Sequence, residues 1–237
     1  MDRIDLLKAV AAKYPKTFIG YGNPDSDILI LGKECGFERD TEDNFFKELN
    51  LCTYYNNADA WDRYCKDPYS SSQIADWKEV LREEWNEKFS PRFAFKGQLF
   101  TKKDVVGTST TWYMYQKLLD IIRRVNRGNN ELLDFQDHCF ITELNGRLPM
   151  KMSRPSKDVK KSIDERVNGL FKEGFFQSFP LVIAASKGYV YRYRIKLAEL
   201  FPNARIIVTN QLSMMPRKGY LDEIAEWVNS NEAYRVL

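Results

Sequence analysis

The stretch SDILILGKECG, Ser26 to Gly36, sets the fold. Four consecutive apolar residues, Ile28 to Leu31, leave no polar face, which suits a central parallel strand covered on both sides. Gly32 ends the run, and Gly22-Asn23-Pro24 supplies the turn that feeds it. In an open parallel sheet, ligands bind beyond the C-terminal ends of the strands, so Gly32 to Gly36 are expected to floor a pocket.

Three further apolar runs repeat the pattern, at residues 139–144 (CFITEL), 181–185 (LVIAA) and 205–209 (RIIVT). The segments between them read as helices. These are 2–13, 40–51, 73–89, 109–125 (ended by Gly128-Asn129-Asn130), 157–175 (capped by Ser156), 186 to about 200, and 218–229. Strands alternating with helices predict a three-layer α/β/α fold around a four-stranded parallel sheet. With no repeats and no low-complexity linker, residues 1–237 read as one domain. An insertion is expected at about 52–100, where the aromatic, polar stretch 53–72 has turn composition. The strand ends then bring 32–39, 143–149, 186–189 and 210–215 to one edge.

A chain of 237 residues can bury a real core, and its 43% hydrophobic and 29% charged residues are ordinary for a globular protein. Aromatic residues make up 14%, enough to build stacking surfaces as well as core. The net charge of +3 is too small to identify a nucleic-acid binder, but it is unevenly spread. Residues 147–161 hold six Lys/Arg against one Asp, and residues 187–196 hold four more with no acid. No stretch approaches a membrane-spanning length and the N-terminus lacks a signal-peptide pattern, so a cytoplasmic protein with no membrane partner is expected. Four scattered cysteines without a CxxC pair predict reduced thiols, and a single histidine, His138, excludes His-rich metal sites. His138 and Cys139, adjacent on an extended strand, point to opposite faces and cannot form a catalytic pair.

Lined up in order, the strand ends resemble the uracil-DNA glycosylase superfamily. GNPDSDILILGKECG is similar to the family's Gly-Asn-Pro turn, strand and Gly-x-x-x-Gly of the GEAPG type. VGTSTTWYMYQKLLDII resembles its Val-Gly turn and apolar helix, and FITELNGRLP its second strand running on to an Arg-Pro loop. FPLVIAASKGYV looks like the third strand, and ARIIVTNQLS like the last strand with its His-Pro-Ser motif. The series covers most of residues 19–215 outside the insertion.

The resemblance implies excision or recognition of a base flipped into a pocket, stacked on an aromatic ring and read by an amide. It places Glu34 at the position of a catalytic carboxylate, with Lys33 and Gly36 lining the base pocket. Val105 falls where the family stacks a Phe. Glu143 stands where the family reads the base with Asn, and Asn145 lies two positions on; either one is the candidate base reader. A Glu accepts hydrogen bonds where an amide both donates and accepts, so the base need not be uracil. Arg147, Lys151, Arg154, Lys187, Gln211 and Ser213 are the candidate phosphate contacts, Gln211 and Leu212 replacing the family's His and Pro. Lys157 extends the basic surface after the second strand, and Arg192 and Arg194, alternating with Tyr189, Tyr191 and Tyr193, extend it after the third with stacking faces. Cys35 reads as a small residue in a tight turn. The cysteines lack the spacing of the iron–sulfur branch, so no metal and no cofactor is implied.

The expected partner is nucleic acid, DNA ahead of RNA, or a nucleotide-like small molecule. Two other readings stay open: a binding module that kept the fold and lost catalysis, and a hydrolase or transferase of a nucleotide-sized small molecule.

Overall fold

The computed structural model describes residues 2–15, 17–33, 110–128, 134–146, 157–214 and 217–237. Helix α1 (Arg3–Lys13) is capped by Asp2, whose carboxylate accepts the Asp5 amide. Strand β1 (Tyr21–Gly22) leads through the Asn23 turn to β2 (Ile28–Gly32). Asn23 holds that turn in place: its amide donates to the carbonyls of Gln136 and Cys139, and its Nδ2 to Asp137 O at 2.9 Å. Gly22, at φ 105°, occupies the left-handed region, and a Cβ there would strike the Cys139 carbonyl.

Helix α2 (Thr110–Arg123) precedes β3 (Phe140–Glu143). Helices α3 (Lys157–Asn168) and α4 (Gly174–Gln177) precede β4 (Leu181–Ala184). Helices α5 (Lys187–Arg192) and α6 (Leu197–Leu200) lead to β5 (Arg205–Val208). Helix α7 (Tyr220–Val228) and strand β6 (Tyr234–Val236) follow.

The described strands form one six-stranded sheet in the order β1-β3-β2-β4-β5-β6. The four strands read from the sequence are its centre, all parallel. The four-stranded count is corrected by two short edge strands: β1 pairs antiparallel with β3, and β6 pairs parallel with β5. Two or three residues with Gly or Arg among them carry no apolar run, which is why pattern alone misses both.

Central strands are buried on both faces, and each face packs its own helices. Ile30, Ile141, Ile183 and Ile207 meet Leu118 and Leu119 of α2 and Leu221, Ile224 and Trp227 of α7. Leu29, Leu31, Phe140, Val182, Ile206 and Val208 meet α1, α3, α4 and α5. Much of the aromatic content goes here: Phe140 stands edge-on to Phe175 at 4.9 Å, beside Phe171, Phe176, Phe179 and Phe201. The β2–β3, β3–β4 and β4–β5 crossovers therefore share one hand, while β5–α7–β6 crosses the other face and has the opposite hand.

Three helices are shorter than periodicity predicts. The run 157–175 breaks at Gly169, with a single 3₁₀ turn (Leu170–Lys172) before α4. The run from 186 to about 200 breaks at Arg194, whose φ of 53° stops α5 from continuing into α6. Helix α2 likewise ends at Arg124, φ 58°, before the Gly128 stop that its sequence offers. The segments 40–51, 73–89 and the insertion 52–100 lie outside the described residues.

At the N-terminal end of β3 the chain ties itself with buried charges. Arg127 donates from Nε to Asp120 Oδ2 at 2.9 Å and from Nη2 to Asp134 Oδ1 at 2.6 Å. Gln116 donates to both carboxylates and accepts the backbone amides of Asp134 and Phe135. Burial alone would raise the Asp134 carboxyl. The His138 ring 3.6 Å away, Gln116 and Arg127 outweigh burial and hold it well below the usual carboxylate range. The stability this supplies is present above the unfolded carboxyl value and is lost as pH falls toward the folded one. Urea unfolding should show Asp134→Asn less stable than wild type at pH 7, with the gap closing below about pH 4. Asp120→Ala should lower stability by about 3 kcal/mol, because it strips a carboxylate from a buried guanidinium.

Candidate functional site

Four parallel strands place their C-terminal ends on one edge. The chain passes from β2 to β3 on one side and then returns past β2 to β4 on the other, so the strand order reverses between β2 and β4. The ladders show where the edge opens. β2 pairs with β3 as far as Gly32↔Glu143, but with β4 only as far as Ile30↔Ile183. Past Ile30 the ladder to β4 stops while the ladder to β3 continues for two more pairs, at the reversal point.

Glu143, the last residue of β3, is buried. It lies opposite Gly32, on the face of Ile30 and Ile141. Its carboxylate rests on the Gly32 backbone: a Cβ at Gly32 would come within 2.7 Å of both Cδ and Oε1 of Glu143, and closer still to Oε2. The glycine in the first motif thus has a packing reason. It leaves room for a carboxylate brought across from the neighbouring strand.

Lys33 follows Gly32 and turns to the opposite face, that of Leu29 and Leu31. Its Nζ lies 4.8 Å from the centroid of the buried Tyr189 ring on α5, a cation–π contact between the end of β2 and α5. Lys33 and Glu143 are therefore on different sides of the sheet. The Lys33 carbonyl accepts the amide of Asn145 at 3.0 Å, just after Leu144 donates to Gly32. Asn145 is fully buried, but β3 ends at Glu143, so the strand that would align the two side chains on one face does not continue.

At the other strand ends, Lys187 donates its backbone amide to Thr209 O, and Thr209 donates to Ala184 O, both at 2.9 Å. The Lys187 ammonium donates to Leu237 O at 2.6 Å, which turns it toward the end of β6. Gln211 and Ser213 are half-buried on the turn after β5, anchored by the buried Leu212. Neither of their side chains has a hydrogen-bond partner among the described residues. Asn210 donates its amide to the Tyr220 hydroxyl at 2.8 Å, fixing the start of that turn to α7. Glu34, Gly36, Val105, Arg147, Lys151 and Arg154 lie outside the described residues, as does Cys35. Of the three tyrosines expected to offer stacking faces, Tyr189 is buried and Tyr193 packs edge-on against it at 5.2 Å; only Tyr191 faces solvent.

One residue near this edge, Arg166, escapes the sequence reading, and the burial of another, Ser186, is not legible in it. Arg166, buried on α3, donates to Phe18 O at 2.6 Å and to Thr142 Oγ1 at 2.8 Å, and lies over the Phe171 ring. Its guanidinium fills the space where a Cβ of Gly146 would sit. Its spacing from Val159 and Ile163, i+7 and i+3, puts it on the buried face of α3 and is the signal that could have found it. Ser186, at the end of β4, is buried with no hydrogen-bond partner for its hydroxyl among the described residues. A single Ser after an apolar run gives no warning of that.

This edge of the sheet thus carries a buried carboxylate, a buried amide, a cation over an aromatic ring and a Ser186 hydroxyl without a hydrogen-bond partner among the described residues. Among the described residues no group of carboxylates, Cys and His gathers as a metal site would require. By residue type, Glu143 accepts hydrogen bonds, Asn145 both donates and accepts, and Lys33 donates. No protein-family model, curated protein or solved structure matches the chain.

The contact of Glu143 with Gly32 predicts a non-additive pair. Gly32→Ala should destabilise wild type by about 1–3 kcal/mol through overpacking, measured by urea unfolding. In a Glu143→Ala background the same change should be nearly neutral, a coupling of at least about 0.5 kcal/mol.

Proposed function

We propose that this chain recognises a base in nucleic acid at the carboxyl edge of its sheet, as a divergent relative of the uracil-DNA glycosylases. The observation that carries the reading is the Glu143 carboxylate held against Gly32 of β2, the strand at the order reversal, with Asn145 buried two residues on. A carboxylate accepts from exocyclic amino and ring N–H groups, the donor edges that cytosine, adenine and guanine present. Uracil offers two carbonyls around one N–H, so replacing the family's Asn by Glu143 turns selectivity toward bases richer in donors.

In this proposal Glu143 and Asn145 read the base, and Glu34 supplies the carboxylate that positions water or stabilises the cationic sugar. Arg147, Lys151 and Arg154 after the second strand, with Gln211 and Ser213 after the last, hold phosphates. Lys33 keeps its position over Tyr189 and bounds the pocket on the α5 side. Recognition without excision is the second reading. It is favoured by Gln211, an amide in place of the family's His, which cannot carry a positive charge to a developing anion.

Oligonucleotides carrying a panel of modified bases test both readings, with affinity read by anisotropy and excision by strand cleavage after alkali. One base should bind more tightly than the rest, and Glu143→Gln should reduce that preference by about tenfold, within the worth of one two-point base contact. Excision predicts that Glu34→Ala abolishes cleavage and keeps affinity; recognition alone predicts selective binding with no cleavage. Binding that ignores both the base and the salt concentration would contradict the proposal.

A further inference from the structure

Among the described residues the exposed large apolar side chains are Val125, Tyr191, Tyr234 and Val236. The last three fall together. Tyr234 and Val236 are two apart on β6, whose exposure alternates so that both share a face. Their register partners, Ile206 and Val208, pack on the face covered by α5, so Tyr234 and Val236 are turned that way too. Lys187 ties the start of α5 to Leu237, the residue after β6. Tyr191, one turn along α5, is 58% exposed and Tyr234 46%. Burial, and after it the charge of the Tyr191 phenol, pushes the Tyr234 phenol up.

The charge around these rings has one sign along α5. Residues 187–196 hold four cations and no acid. Lys196 is paired with Glu199 at 2.7 Å, but neither Arg192 nor Arg194 makes an ion pair among the described residues. The break at Arg194 turns the chain out of the helix just past these rings. Two rings and one valine expose far less apolar area than the roughly 800 Å² per partner of a stable protein interface. Self-association through this patch would also bring arginines against arginines. Aromatic faces beside unpaired arginines match a polyanion whose bases are free to stack, and duplex nucleic acid hides its base faces.

We propose that α5 and β6 form a stacking platform for single-stranded nucleic acid, with Tyr191 and Tyr234 taking bases and Arg192 and Arg194 taking phosphates. The platform builds on the nucleic-acid reading above and adds the strand-holding surface next to that edge of the sheet. It acts on unmodified strand and is indifferent to which base the pocket selects.

The test is anisotropy of a labelled oligothymidine of about 12 nucleotides, within the range of single-strand site sizes, with the full chain. The variant Tyr191→Ala/Tyr234→Ala should bind about tenfold or more weakly, and Tyr191→Phe/Tyr234→Phe should bind like wild type, because the ring face does the stacking. Arg192→Gln/Arg194→Gln should lower the salt slope by about two. Both tyrosines are exposed, so an unchanged melting temperature separates lost stacking from lost fold. Equal affinity of the alanine pair and wild type would overturn the platform. So would failure of wild type to bind the strand, or an alanine pair that changes only the sedimentation of the protein. The two proposals fail separately. Base selectivity that survives with an inert tyrosine pair removes the platform and keeps the pocket; tyrosine-dependent binding without any base preference does the reverse.

Discussion

The double ladder of β2 is the constraint on which the rest depends. The strand is hydrogen-bonded to β3 on one side and β4 on the other, and its side chains are buried on both faces. A slip of one residue would exchange Leu29 and Leu31 with Ile28 and Ile30 and spoil both cores at once, so the register is firmly set. Because the ladder to β3 runs two pairs further than the ladder to β4, the edge opens on the β4 side alone. With that inequality, Glu143 stands over Gly32 and Lys33 reaches across to Tyr189.

The two ends of the sheet treat polar groups differently. At the N-terminal end, Gln116, Asp120, Arg127 and Asp134 bond to one another, and Arg123 at 3.4 Å from Asp134 brings a second cation to the two carboxylates. Such a cluster fixes α2 against the entry to β3. At the C-terminal end Glu143 and Lys33 lie on opposite faces, and the Ser186 hydroxyl is left unused by the described residues. The basic α5 lies on the Lys33 face, with Arg192 and Arg194 exposed on it.

The central sheet was legible because buried parallel strands write themselves as unbroken apolar runs, and Ile28–Leu31, Phe140–Thr142, Leu181–Ala184 and Ile206–Val208 all do. The edge strands were not, since Tyr21-Gly22 and Tyr234-Arg235-Val236 carry no periodic signal. Helix breaks were missed for another reason. Leu170, Phe171, Phe175 and Phe176 continue the apolar rhythm of α3 across Gly169 although the backbone does not, and the left-handed turn at Arg194 has no glycine to announce it. At the site, the position of Glu143 at a strand end could be read directly. Its contact with Gly32 could not, because cross-strand register is a property of the folded sheet and not of either segment alone.

The most direct measurement of the central claim is amide chemical-shift mapping of the isotope-labelled chain titrated with a series of nucleosides. Ligand binding at the strand-order reversal predicts shifts at Gly32, Lys33, Glu143 to Gly146, Ser186 to Tyr189 and Thr209 to Gln211, with the amides of Asp120, Arg127 and Asp134 unmoved. Shifts confined to the N-terminal end of the sheet, or none with any nucleoside, would contradict a base pocket at this edge.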